Sequence, residues 1–190
     1  MLSITPSLYK AFTAYCEGRS PIDDFLRVLA KAPSKPTLEM QDGINFENAV
    51  YESMKTGETS KDARISEAAE RCKGGYIQVK CEKTLFDDTL VYGVADVVLP
   101  DQDKIIDIKR TGSYSLGKYE NSIQHLVYMY ALGLNNFEYL IADKTSVYTE
   151  YYHWGTIAEN HLKSRVYQCL DFILSVDQFK DIYAAHWIKH

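Results

Sequence analysis

Four cysteines in 190 residues are few, and they stand far apart, at 16, 72, 81 and 169. No two form a C-x-x-C pair, so neither a zinc ribbon nor a dithiol redox motif is supported. A disulfide framework is not expected in a chain of this size without a secretion signal. That signal is missing too: residues 1–10 lack the charged-then-apolar pattern of a leader. No run approaches the roughly 18 apolar residues of a membrane span. These absences point to a soluble, intracellular protein of the cytoplasm with no membrane attachment. A basic excess is also lacking. Lys and Arg number 21 against 26 Asp and Glu, a net charge of -5, which is not the profile of a protein that grips nucleic acid by bulk charge. Carboxylates that bind metal enter the same sum, however, and a local basic groove can coexist with acidic outer faces. There is no internal repeat and no low-complexity segment. What is present is 46% hydrophobic, ample for one core in a chain whose length suits one domain. Most of the 15 tyrosines are expected to fill that core with a wet hydroxyl edge.

The apolar pattern divides the chain into three parts. Residues 6–32 read as helical, broken near Gly18 to Pro21. Asp42-Gly43 opens a helix over residues 44–55 with the stripe Phe46, Ala49, Val50, Met54, and Gly57 stops it. Another short helix suits residues 60–72. From Tyr76 the period changes to two, giving strands over residues 76–86, 92–99 and 104–109 in an antiparallel meander. A long helix is expected over residues 116–134, with Gln124 and Tyr128 four apart on its flank and His125 about 100° away around it. Strands over residues 137–142 and 147–153 and a final helix over residues 157–174 complete an α/β sandwich around a mixed sheet. The divisions are an N-terminal helical part (1–42), a core (43–153) and a C-terminal helix (154–190), all in a single domain.

Within the meander lie Asp96, Asp107 and Lys109, charges set into the apolar runs Tyr92-Gly93-Val94-Ala95-Asp96-Val97-Val98-Leu99 and Lys104-Ile105-Ile106-Asp107-Ile108-Lys109. Charged side chains are rarely buried without a partner. Strand alternation puts Asp107 and Lys109 on one face and Ile108 on the other, with the Ile108 backbone carbonyl near the site edge. Asp96 arrives from the neighbouring strand and Glu47 from the helix before it. Two aspartates, a glutamate and a carbonyl are the oxygen set that a hard cation such as Mg2+ or Mn2+ takes. An ammonium beside them orients a water or stabilises charge on a pentavalent phosphate. Metal-assisted phosphodiester hydrolysis fits these residue types.

Gly93-x-x-Asp96, Asp107-x-Lys109 and Gln124-x-x-x-Tyr128, in that order, resemble the PD-(D/E)XK nuclease superfamily, in particular its RecB-like exonuclease branch. Gly43-x-x-x-Glu47 resembles the first-helix block of that family, and Ser3-x-x-Pro6-Ser7-x-Tyr9-x-x-Phe12-x-x-x-Cys16 faintly resembles its N-terminal segment. The resemblance spans roughly residues 3 to 153. It implies a restriction-endonuclease-like core in which Asp96, Asp107 and Glu47 bind Mg2+ or Mn2+ and Lys109 assists the water. Gln124 and Tyr128 would line the site and contact DNA or position the lysine region. Apart from the resemblance, Arg110, like Lys118 and Lys144, is a candidate by its charge for touching phosphates. An iron–sulfur cluster, carried by one family variant on one early and three late cysteines, is not expected, since only Cys169 lies beyond Tyr128.

The expected function is a metal-dependent deoxyribonuclease, an exonuclease on linear or single-stranded DNA in recombination, repair or phage metabolism. Two alternatives stand beside it. One is a non-catalytic DNA-binding or regulatory protein on a nuclease fold. The other is the nuclease subunit of a larger repair assembly, with a helicase or annealing partner supplying the grip.

Overall fold

A computed structural model describes residues 1–188 of the chain. One strand organises it. The apolar run at the middle of the sequence forms β3 (Thr89–Leu99), and three other strands pair with it. Strand β2 (Tyr76–Phe86) runs antiparallel along the whole of one edge, through the hairpin turn at Asp87-Asp88. The other edge is shared. At its start lies a short parallel strand, β1 (Leu2–Ile4), against Thr89 to Val91. At its end lies β4 (Lys104–Arg110), antiparallel, with Val97, Val98 and Leu99 opposite Ile106, Ile105 and Lys104. A short 3-10 turn at Pro100–Gln102 joins the two. Strand β5 (Asn136–Ala142) continues the sheet in parallel and β6 (Val147–His153) closes it antiparallel. The result is a mixed open sheet of six strands flanked by helices, the fold class expected from the apolar pattern.

Each face of the sheet has its own core. On one side pack α3 (Leu38–Thr56) and α4 (Ala63–Arg71), through Phe46, Val50, Tyr51, Ala68 and Cys72 against Val97, Ile106 and Ile108. On the other pack α1 (Pro6–Cys16), α2 (Ile22–Leu29), α5 (Gln124–Leu132), α6 (Ala158–Ser175) and α7 (Asp177–Trp187), around Leu8, Phe25, Val127, Phe137, Val166 and Tyr183. All four cysteines are free, and no described helix is long and apolar enough to cross a membrane.

Several boundaries differ from the expected ones, each for a local reason. Helix α3 starts at Leu38 because the Thr37 hydroxyl accepts the Met40 N–H as an N-cap, which carries Gly43 inside the helix. That glycine costs about 1 kcal/mol relative to alanine, a weak signal for a start. Gly57 ends α3 in the left-handed conformation, as read. The expected long helix over 116–134 is only Gln124–Leu132. Before it, Gly117 takes φ +80°, and Tyr114 and the Tyr119 N–H both bond to Glu150 of β6, so residues 111–123 form a strap tied to the sheet. At the C-terminus the helix expected over 157–174 is α6, and beyond the extended Val176 a further helix, α7, follows that the apolar pattern does not mark. The N-terminal part opens on a strand of three residues, too short to show a period.

Helix α7 is tied to that strand. The buried Tyr183 hydroxyl donates to the Ser3 carbonyl at 2.7 Å and accepts the Ser3 N–H at 2.9 Å. Tyr183→Phe leaves two buried backbone groups without a partner, at a cost of about 1–3 kcal/mol. We expect a lower urea midpoint with an unchanged slope; an unaltered midpoint would show that water replaces the hydroxyl without loss.

Candidate metal and catalytic site

The pairing of β3 with β4 stops at Val97 and Ile106, and beyond them the strands part into a fork. Asp96 and Asp107 are the first residues past the last pair, opposite each other at its mouth. In place of the next ladder bond, Asp96 Oδ2 accepts the Ile108 N–H at 2.8 Å. A strand residue sends its N–H and C=O to the same edge, so the Ile108 carbonyl faces the fork as well.

The local chain explains why Asp96 points there. Ile77 of β2 and Val97 of β3, which pair, belong to the α3/α4 core, while Val79 and Ala95, the next pair along, belong to the opposite core. Residues two apart on a strand ordinarily share a face. The inversion falls at Gln78 and Asp96, with Gln78 at φ +51°. It turns the Asp96 side chain away from either face and along the sheet toward β4.

On β4 the alternation is regular. Ile106 and Ile108 enter the α3/α4 core, and Asp107 and Lys109 take the other face with Ile105. Asp107 is 0% exposed. Its Oδ1 accepts a hydrogen bond from Gln124 Nε2 at 2.6 Å, and Gln124 Nε2 also lies 3.3 Å from the Tyr128 hydroxyl. Thus Gln124 and Tyr128 share a face of α5, as their spacing implied, and Gln124 reaches the carboxylate. The Tyr128 ring packs against β3 at Gly93, where a Cβ would come within 2.6 Å of the ring; only glycine admits that approach. Asp107 Oδ2 forms an ion pair with Lys109 Nζ and, among the described residues, meets no donor in hydrogen-bond geometry. Lys109 also stands 5.9 Å over the ring of Tyr139.

Electrostatically the site is short of positive charge. Burial raises the Asp96 carboxyl well above its ordinary value, and the Asp107 charge raises it further against the opposing pull of Lys109. Asp107 is raised as well, by burial first, with Lys109 opposing and Glu47 adding. Burial pushes the Lys109 ammonium down, but Asp107 and Asp96 more than reverse that, and it stays protonated.

The remaining candidates separate. Glu47, on α3, influences both aspartates through the fork, and its Oε1 accepts the Tyr51 hydroxyl at 2.7 Å. Among the described residues no three carboxylate, histidine or cysteine side chains converge as a ready-made metal cluster. Arg110, expected near phosphates with Lys109, lies on the other face of β4, where its Nε pairs with Asp42 at 3.0 Å and its Nη1 donates to Thr111 O. Its even-numbered place, in step with Ile108, already carried that information. His125 stacks on Tyr152 at 4.2 Å, and burial drives its pKa down to about 4, so it is a neutral core residue. Lys10 of α1 was not foreseen. Burial and then the nearby Lys109 charge lower its pKa, and Asp107 opposes them, so its ammonium shares the field of the site.

The residues fit a hard divalent cation. Two raised carboxylates face each other across a gap, the Asp107 oxygen on the fork side is held by Lys109 alone, and the ligand atoms on offer are all oxygen.

No family model matches the chain, and no curated protein matches it in sequence. Solved structures do match in shape. The alkaline exonuclease LHK-Exo from Laribacter hongkongensis superposes with a TM-score of 0.55 at 12% identity, over 96% of this chain and 93% of that one. The same protein in complex with dAMP gives the same agreement. SSO0001 superposes with a TM-score of 0.54 at 9% identity, over 90% of this chain and 77% of that one. The chain has the fold of an alkaline exonuclease. At these identities the likeness establishes the fold and leaves the chemistry to the site.

That site generates a test in the metal-free protein. A carboxyl whose folded pKa lies above its unfolded value weakens the fold, so the penalty is absent below the unfolded value, grows as pH rises above it and is complete above the folded value. Asp96→Asn keeps an acceptor for Ile108 N–H and removes the charge. We expect the variant to unfold at higher urea than the wild type at pH 7 in EDTA, with the gap closing toward pH 4. Equal midpoints at pH 7 would contradict the electrostatic reading.

Proposed function

We propose that this protein is a metal-dependent deoxyribonuclease, and specifically an exonuclease, whose 190 residues act as one nuclease domain. The single observation that carries this reading is the fork, where Asp96 and Asp107 oppose each other with Lys109 paired to Asp107. The alkaline-exonuclease fold supports it, and the dAMP complex of that relative is consistent with a nucleotide substrate here.

Asp96 and Asp107, with Glu47 and the Ile108 carbonyl, would hold Mg2+ or Mn2+. When bound, such an ion neutralises charge at the scissile phosphate and makes an attacking water more acidic. Gln124 fixes Asp107 through Oδ1, which directs Oδ2 toward Lys109 and the fork. The Lys109 ammonium, kept protonated by the two aspartates, is a donor for the attacking water or for charge developing on the phosphate. Tyr128 holds Gln124 in line and walls the site behind Gly93. Lys10 adds a positive charge on the α1 side.

A second reading differs in how DNA is gripped. The net charge of -5 favours a partner, such as a helicase or annealing protein, that supplies the phosphate contacts. Binding by the isolated protein would then depend only weakly on salt.

End-labelled linear DNA and covalently closed DNA, incubated with Mn2+, test the function. We expect the linear form to be degraded and the closed form to survive. Asp107→Ala should be inactive. Lys109→Ala should lose about 100-fold or more in rate, the scale of one lost transition-state donor, while its Mn2+ affinity stays within about tenfold. No cleavage by the wild type, or unchanged cleavage by Asp107→Ala, would refute the assignment.

A further inference from the structure

Glu47 is the member of the site whose position the fork does not dictate. It comes from α3, on the opposite face of the sheet from Asp107 and Lys109. A half-exposed helix glutamate has several free torsions, and nothing in the strands selects one of them. The selection comes from one residue, a turn further along the same helix. Tyr51 is 4% exposed, and its ring is packed into the α3/α4 core that also holds Phe46, Val50 and Ile108. The ring therefore has little freedom, and its hydroxyl emerges at the fork. It donates to Glu47 Oε1 at 2.7 Å and lies 3.4 Å from the backbone carbonyl of Asp96. A phenol has one proton to give, and the shorter contact marks Glu47 as its acceptor. The phenol also stays a donor, because burial and the nearby Asp96 and Glu47 charges raise its pKa.

We propose that Tyr51 is a positioning residue that holds Glu47 in the orientation in which it serves as a cation ligand. It occupies Oε1, which leaves Oε2 for the ion, and through Asp96 it touches the backbone of a second ligand-bearing strand. Carboxylate ligands are commonly held by such an outer hydrogen bond, and losing it costs roughly 10–100-fold in metal affinity. The proposal rests on the reading of Glu47 as a ligand.

Titration calorimetry with Mn2+ on the wild type, Tyr51→Phe, Glu47→Gln and the double variant separates the possibilities. Tyr51→Phe keeps the ring, so its metal-free melting temperature should stay within a few degrees of the wild type, while its Mn2+ affinity falls about tenfold. In the Glu47→Gln background the same change should cost nothing further, since the pair acts as a unit. Wild-type affinity in Tyr51→Phe would overturn the positioning role alone. So would an equal loss in both backgrounds, or a collapse of the melting temperature, each of which marks a merely structural tyrosine. A wild type that takes up no Mn2+ would instead overturn the cation site itself, and the role of Tyr51 with it.

Discussion

The hydrogen bond from the Ile108 N–H to Asp96 Oδ2 is the contact on which the rest of the site depends. It stands where a ladder bond would otherwise continue β3 into β4. A fully paired sheet would have no room between these strands, and Asp96 and Asp107 would project from its faces. An unsupported parting would leave a buried N–H without a partner, which proteins rarely tolerate. The side-chain acceptor resolves both demands. It holds the strands apart, satisfies the backbone, and leaves a carboxylate at the mouth of the gap.

The scaffold is arranged to keep that gap stiff. Above and below it the two cores are dense, with Ile105 on one side and Ile106 and Ile108 on the other. Strand β5 supports β4 along its full length, from Lys104 to Arg110, so the fork opens on the β3 side only. The strap over residues 111–123 runs from β4 to Gln124, and Glu150 anchors it by accepting from the Tyr114 hydroxyl at 2.9 Å and the Tyr119 N–H at 3.4 Å. Asp107 is then buried and Asp96 half-buried, and Lys109, with Lys10 farther off, is too little to offset them both. Under the proposed function the apparent defect has a use: a divalent cation would relieve the repulsion between the two carboxylates.

Much of this was legible in the amino acids. Alternation along Lys104 to Arg110 is regular, so the shared face of Asp107 and Lys109 and the opposite placement of Ile108 could be read directly. Four-residue spacing likewise joined Gln124 to Tyr128. Other features depended on contacts distant in the chain. The strap before α5 has helical spacing in Tyr119 and Ile123, but Glu150, some 30 residues on, captures it. Strand β1 has three residues and exists because β3 offers an edge. The inversion at Gln78 and Asp96 is a backbone event with no compositional mark, and it alone decides that Asp96 lies in the sheet plane. Tyr51 stood in plain helical spacing with Glu47, yet an aromatic residue in an apolar stripe reads as core, and only its hydroxyl distances reveal a second role.

Crystals grown or soaked with Mn2+ and measured at the manganese absorption edge would locate the cation. An anomalous peak is expected in the fork, within coordination distance of an Asp96 and an Asp107 carboxylate oxygen, and should be lost in Asp107→Ala. A fork without manganese at saturating concentration, or a peak bound by other residues, would contradict the cation site.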